Sequence, residues 1–566
     1  MSTDSSLKRA QLLEKELPGK RVLIVDRHQN ARDSLRLMLS SLSVTSVIGA
    51  ASSTDALRQV KGHRFDIILS DYLLDDRDGQ QLLEELRRQR MIPLSTVFMI
   101  LTSERSYHNV ISVAELTPDD YLIKPFTTDQ LQGRMLKALY KKLVFSRIFQ
   151  FLEEGSYLAA ASACDALIAE TPSYRLEALR IKGETLNALG EYKDAETLYR
   201  QILAEHSLPW AEMGEAIAQH GLGQTEEARA TARRLVEISP QYMAAYDFLA
   251  QVEEELGNPQ EAQAALQEAA RISPNNSLRQ RSVGEIAMRN GDFERAEKAY
   301  VKVLERSRGS SLQQVDDYAN LARVLLDRNA ADGARRVIQD LRRNWRGHKE
   351  GEYAALVLDS LCSDKEGEPG KARDALNQAM KMREELSAES ETSGTASTVL
   401  SQRLDVDLAH ACLAAGDAEA GRGILRRVAA ENNEDRQIIA RIQGVFTRTG
   451  QEEAGKALLE EVSREIISIN NEGVMKARAG DFEGSVQLLV EAAERVPNVQ
   501  FLVNATKAIL TLLDQRQWDA QKASQAQGYL QMAWKKNPAD PRVLSARELY
   551  LRVAGKYRIA VHPLNG

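Results

Sequence analysis

Residues 66–79 read DIILSDYLLDDRDG, an apolar run that ends on Asp71 and opens into an acidic turn closed by Gly79. The same plan recurs around it. VLIVD at 22–26 ends on Asp26, MILTS at 99–103 carries Thr102 near its end, and DYLIKPF at 120–126 ends its apolar run before Lys124. Near-continuous apolar runs separated by amphipathic stretches describe strands buried on both faces by helices, the pattern of a parallel sheet. Five strands are predicted: Arg21–Val25, Val44–Ala50, Phe65–Leu69, Thr96–Leu101 and Tyr121–Ile123.

A five-stranded parallel sheet of this size implies a flavodoxin-like α/β domain, whose site lies where the strand C-termini share one rim. Asp26, Asp71, Thr102 and Lys124 each follow or end a strand, so the fold converges them. Phosphoryl transfer to a carboxylate needs a nucleophile, neutralisation of phosphate oxygens and a fixed cation, and these residue types supply them.

The four quoted segments resemble the receiver domain of two-component response regulators over residues 19–140, after an N-terminal extension at 1–18. The resemblance implies that Asp71 is the phosphoacceptor, with Asp78-Gly79 at the family's downstream offset. It implies a Mg2+ held by Asp26, Asp71 and the backbone carbonyl of Leu73, a phosphoryl group contacted by Thr102 and Lys124, and a switch formed by Thr102 and Tyr121. Pro125 matches the family's cis-proline. One position departs from the pattern: the usual second acid after the first strand is Arg27. A guanidinium there weakens the expected metal affinity, because Mg2+ wants oxygen ligands in near-octahedral array. Arg27 either places positive charge against Asp71 or points to solvent.

After Phe126 the strands stop and a different period begins. Gly155, Gly190, Gly223, Gly257 and Gly291 follow at spacings of 35, 33, 34 and 34 residues, each with an alanine five residues on: Ala160, Ala195, Ala228, Ala262 and Ala296. A period near 34 residues is that of a helix-turn-helix repeat in which glycine ends the first helix at positive φ and alanine lets the second pack closely. Gly183 and Gly284, Tyr199 and Tyr300, and Pro172, Pro240 and Pro274 fall in phase, and the series resembles tetratricopeptide repeats. Degenerate units continue through Ala322–Ala334, Gly367–Ala372, Gly416–Leu425, Gly450–Leu458 and Gly473–Pro497, roughly ten in all, making residues 141–566 an all-α superhelical solenoid. Ser387–Ser397, SAESETSGTAS, is acidic and free of large apolar residues, and a flexible loop is expected there.

Between the two regions, residues 127–153 hold apolar positions at helical spacing with no proline, so one helix is expected to run from the receiver into the first repeat and end at Gly155, the alternative being a break near Lys141-Lys142 that gives two helices.

A net charge of -7 disfavours broad attachment to nucleic acid or anionic lipid and leaves protein partners as the default. One stretch, Arg335-Arg336 and Arg342 to Lys349, interleaves cations with Trp345 and could bind phosphate and stack a base; the same run also reads as a solvated helix end. Cys164, Cys362 and Cys412 are far apart and read as small buried helix residues. The polar first 20 residues have no apolar core and no run of ~18 apolar residues occurs, so membrane insertion is not expected and a cytoplasmic protein is. No P-loop, HExxH, cyclase or DNA-binding motif follows the receiver, which argues against an enzyme. The expectation is a signalling adaptor. A sensor histidine kinase or phosphotransfer protein would load Asp71, and protein partners, unknown from sequence, would occupy the repeat groove. A constitutive scaffold with a degenerate receiver and a nucleic-acid-associated regulator are the alternatives.

Overall fold

A computed structural model of the chain describes residue 15 and residues 17–74, 78–103, 118–274, 276–308, 313–393, 402–537 and 540–557. The chain forms two compact units, one of residues 1–187, 191–276 and 306–312, the other of residues 188–190, 277–305 and 313–566.

The first unit opens on a parallel sheet of β1 (Val22–Val25), β2 (Val47–Ala50), β3 (Ile67–Asp71), β4 (Val97–Thr102) and β5 (Asp120–Ile123), in the order β2-β1-β3-β4-β5. Both faces are covered, which is why the strands read as unbroken apolar runs. Val22 and Ile24 of β1 face the helices α1 (Gln29–Ser41) and α4 (Thr128–Val144), packing among Leu35, Leu39, Leu131 and Met135. Leu23 and Val25 face α2 (Ser53–Gly62) and α3 (Gly79–Arg88), packing among Ala56, Leu82 and Leu86. Burying one such side chain contributes about 1.5–3 kcal/mol, so this double-sided core holds the strand ends rigidly. Helix starts are capped by short oxygen side chains: Ser52 accepts from Asp55 N–H, Asp78 from Gln81 N–H, and Thr127 from Gln130 N–H.

The single helix expected over 127–153 is two helices. α4 stops at Val144, Phe145 adopts φ -91° and ψ 2°, and α5 (Ser146–Glu153) follows at once. The fully buried Phe145 ring stacks on Phe149 at 5.9 Å and meets Tyr174 edge-on at 5.6 Å. That aromatic contact turns the chain at a point where helical spacing alone gives no break. No linker intervenes, and α4 itself crosses the 140/141 boundary expected between receiver and repeats. Lys142 in α4 pairs with Asp119, just before β5, at 2.7 Å, and Lys141 with Glu177 of the repeats at 2.6 Å. Glu153 accepts from the Leu94 N–H in the loop between α3 and β4.

The repeats obey the glycine pattern. Gly155, Gly190, Gly223 and Gly257 have φ of 69°, 78°, 79° and 80°, a region L-residues avoid. The in-phase Gly183 has a different cause. A Cβ there would lie 2.5 Å from the Tyr199 ring, and one at Gly214 would lie 2.1 Å from it, so the two glycines form the slot that seats the buried tyrosine.

In the second unit Gly284 seats Tyr300 in the same way, and Gly291, Gly367, Gly416, Gly450 and Gly480 take positive φ. In the degenerate unit Ala322–Ala334 the turn residue is Asn329, φ 58°, asparagine being among the non-glycine residues that best tolerate this region. The loop expected over Ser387–Ser397 is corrected for its first part. A helix runs Pro369–Ser393, and residues 394–397 lie outside those described. Ala388, Glu389 and Glu391 are adequate helix formers, and extending an existing helix carries no nucleation cost. A 27-residue helix, Glu452–Arg478, spans two repeat positions, closing the unit begun at Arg436 and opening the one that turns at Gly480. Cys164, Cys362 and Cys412 are free and buried.

Candidate functional site

β1, β3, β4 and β5 end on one rim, where Lys124 draws two carboxylates together. Its Nζ lies 2.8 Å from Asp71 Oδ1 and 3.0 Å from Asp26 Oδ2. Burial alone would lower the Lys124 ammonium, but hydrogen bonds and charge from Asp71 and Asp26 outweigh it and hold the group above the ordinary lysine value. The backbone positions it, since Lys124 N–H donates to the Thr102 carbonyl at 2.7 Å and the Lys124–Pro125 bond is cis.

Asp26 is fully buried, and its Oδ1 accepts from the His28 N–H at 2.8 Å. Asp71, at the end of β3, is 13% exposed and so reachable from solvent. Thr102 ends β4 and is buried, while Tyr121 on β5 packs partly buried against the apolar face formed with α3, its phenol pushed up by burial. Leu73 lies two residues beyond Asp71, bridged through its backbone to Asp78, with its side chain exposed. Arg27 is exposed, its Nε donating to His28 Nε2 at 3.0 Å.

The structure thus gathers Asp26, Asp71 and Lys124 into one constellation with Thr102 beside it. Two supports escaped sequence reading. The Arg32 guanidinium donates to the Asp26 carbonyl, and Ser70 Oγ donates to the Asp71 carbonyl at 2.9 Å. Helical spacing from Asp26 marks Arg32 only after the loop geometry is known.

Gly79 explains the Asp78-Gly79 spacing physically. A Cβ there would sit 2.6 Å from the backbone oxygen of Asp71 and 3.0 Å from Ser70 Oγ. Because the obstacle is backbone, it cannot swing aside. Gly79→Ala is therefore expected to cost about 1–3 kcal/mol by overpacking and to displace Asp71. Thermal unfolding of the receiver and the rate of Asp71 modification report the two effects, and an unchanged melting temperature would contradict the close approach.

The cofactor question turns on the donor set. Among the described residues no group of three or more His, Cys, Asp or Glu side chains converges. Two carboxylates do, and Mg2+ commonly takes only one or two from protein, completing its shell with water and phosphate oxygens. Asp26 and Asp71 fit that demand.

Three arginines of the basic stretch 335–349 are engaged within the array. Arg335 bonds Asp359, Glu366 and Ser363, Arg342 bonds Glu352 and Asp359, and Arg343 pairs with Asp340.

The five-stranded parallel sheet, with an aspartate pair and a lysine on its C-terminal rim, defines a doubly wound α/β domain whose candidate site lies at the strand ends. Residues 22–136 match the response regulator receiver domain, and residues 213–277 and 283–349 match the tetratricopeptide repeat, so the chain carries a receiver domain followed by tetratricopeptide repeats. A probable transcriptional regulator, ycf27, of Cyanidium caldarium is 32% identical over 118 residues, 21% of this chain and 45% of that protein, so the match spans less than half of the relative's length. Among solved structures, the chemotaxis response regulator CheY4 of Vibrio cholerae is 25% identical over 21% of this chain and 98% of its own, with a TM-score of 0.20. A tetratricopeptide repeat protein from Parabacteroides merdae is 17% identical over 43% of this chain and 92% of its own, with a TM-score of 0.28.

Proposed function

We propose that this chain is a phosphorylation-responsive adaptor, a receiver loaded on Asp71 by a sensor histidine kinase or phosphotransfer protein and a repeat array that binds protein partners. The observation that carries the reading is the convergence of Asp26 and Asp71 on Lys124 at the strand rim. In the reaction an Asp71 carboxylate oxygen attacks the phosphorus of a phosphohistidine, the P–N bond breaks, and the imidazole leaves with the electron pair. Lys124 then faces an added phosphoryl oxygen in place of a bare carboxylate, and Thr102 stands beside it to donate a hydrogen bond. Mg2+, held by Asp26, Asp71 and the Leu73 carbonyl, would neutralise charge on the phosphate oxygens. The adaptor has no catalytic output of its own and works in the cytoplasm. Among the described residues no helix is long and apolar enough to cross a membrane.

β4 and β5 supply a route from this rim to the repeats. Thr102 and Lys124 lie at their C-terminal ends. At the other ends Asp119 N–H donates to the Phe98 carbonyl and Phe98 N–H to the Asp119 carboxylate, each at 2.8 Å. That same carboxylate holds Lys142 at 2.7 Å and Arg87 Nη2 at 4.0 Å, and Lys142 lies 5.1 Å over the Phe149 ring of α5. Burial lowers both cations from their ordinary values despite Asp119, so the pairing is held in a poorly solvated place. From Asp119 to Lys124 the strand spans about 17 Å, about five residues at ~3.3 Å each, and a shift of β4 and β5 at the rim would move Asp119 against the first repeat.

A second reading, a phosphorylation-independent scaffold, draws on Arg27 standing where the family carries an acid. Arg27→Asp tests the premise of this second reading. Restoring the carboxylate is expected to tighten Mg2+ on the order of tenfold or more, since a unit charge at ~4 Å is worth about 1 to 4 kcal/mol near a wet surface. Calorimetric titration measures it, and equal affinities would place Arg27 outside the metal pocket. Incubation with acetyl phosphate and Mg2+ tests the main reading: a mass increase on wild type supports it, and none supports the scaffold.

A further inference from the structure

In a stacked repeat array each unit meets its neighbours, and inner-face residues several repeats apart have no reason to touch. In the second unit they do. Arg403 Nη1 bonds Glu285 at 2.6 Å across 118 residues, and Arg441 Nη2 bonds Asn320 Oδ1 at 2.9 Å across 121. Arg448 Nη2 reaches Asp327 at 3.0 Å, again across 121 residues, and Arg323 Nε bonds Asp407 at 2.8 Å across 84. All of these residues lie on helices that open repeats: Ser277–Arg289, Val315–Asp327, Gln402–Ala414 and Arg436–Arg448.

The contacts are one network. Arg323 also donates to Asn320, Arg403 to Gln437 at 3.0 Å, and Arg441 lies 3.8 Å from Glu285. Its centre is dry, with Arg323 and Asp407 both under a tenth exposed. Three guanidiniums, Arg323, Arg403 and Arg441, share two carboxylates, Glu285 and Asp407. Burial, then the charges of Arg323 and Arg403, push Arg441 down to about 10. Such a cluster stays together only while both acids are ionised and in place, because guanidiniums left alone in a poorly solvated site repel.

We propose that this network is an electrostatic latch that closes the inner face of these repeats against itself, so that a partner segment reaches that face only once the latch opens. It follows that the array in its latched state offers partners its other surfaces. The latch is a property of the repeats alone and is testable without phosphate or partner.

The test uses the full chain carrying Glu285→Gln with Asp407→Asn, which strips both acids while keeping size and leaves three facing arginines. Retained helical circular dichroism, a larger radius of gyration in small-angle scattering and faster amide exchange in 315–327 and 402–414 are expected. A radius and exchange rates equal to wild type would overturn the latch. Should the double variant lose its helices, Arg448→Glu is measured instead, which sets like charges together at the half-exposed end of the seam. It is expected to raise exchange in the same helices, and adding Asp327→Arg to restore it. No rise, or a rise that the swap fails to reverse, overturns the proposal.

Discussion

Asp71→Asn is expected to take up no phosphoryl group from acetyl phosphate in the presence of Mg2+, and wild type to gain one. The expectation follows from the site's layout. Asp26, the other carboxylate at the rim, is fully buried and is engaged by the His28 N–H on one oxygen and Lys124 on the other. Asp71 keeps partial access to solvent, and one of its oxygens meets the Lys124 ammonium. An amide in its place cannot act as an oxyanion nucleophile, so the loss should be complete rather than graded. Intact-mass spectrometry reads it directly. Residual labelling of the variant would show that another residue takes the phosphoryl group.

The largest structural effect is expected at a repeat glycine packed against a buried ring. Gly214→Val is expected to destabilise the first repeats by about 3 kcal/mol or more, at the upper end of overpacking penalties. Its Cβ would fall between 2.1 and 2.6 Å from three atoms of the Tyr199 ring, which also packs against Gly183, where a Cβ would lie 2.5 Å away. The ring has no room to retreat. Gly223→Ala meets nothing within 4 Å and suffers only from φ of +79°, a cost of roughly 1–2 kcal/mol. Denaturant unfolding followed by circular dichroism should therefore rank Gly214→Val well below Gly223→Ala. Partial rescue of Gly214→Val by Tyr199→Leu would identify the ring as the obstacle, and the reverse ranking would show that the turn matters more than the slot.

What sequence could and could not say divides along physical lines. Strand identity was legible because Ile67–Leu69 and Val97–Leu101 are apolar on both alternating faces, which only a sheet sandwiched by helices demands. The repeat turns were legible because a positive φ selects glycine at Gly155, Gly190, Gly223, Gly257 and Gly291. Asn329 shows the limit of that signal, a turn of the same handedness written with another residue. A break giving two helices was a stated alternative near Lys141-Lys142, but its place at Phe145 left no mark, since it comes from burying one ring against Phe149 and Tyr174 and not from a helix-breaking residue. The helix extending to Ser393 was missed because composition signals the absence of a core, not the absence of a helix. Least legible of all were Arg403 with Glu285 and Arg441 with Asn320. Their meeting depends on the pitch of the superhelix, and a period of 34 residues does not encode pitch.

At the site, residue types at strand ends were enough to nominate Asp26, Asp71, Thr102 and Lys124. The Asp119–Lys142 contact between receiver and repeats could not be nominated, because neither residue stands at a motif position.

In the proposed mechanism the state of Asp71 reaches the repeats through the Asp119 end of β4 and β5. Hydrogen–deuterium exchange on the full chain, with and without acetyl phosphate and Mg2+, tests it most directly once mass spectrometry has confirmed loading. Altered exchange is expected in Ser146–Glu153 and around Lys142 on loading, lost in both Asp71→Asn and Lys124→Ala. Loaded wild-type protein whose exchange in these segments equals that of the unloaded chain would contradict it.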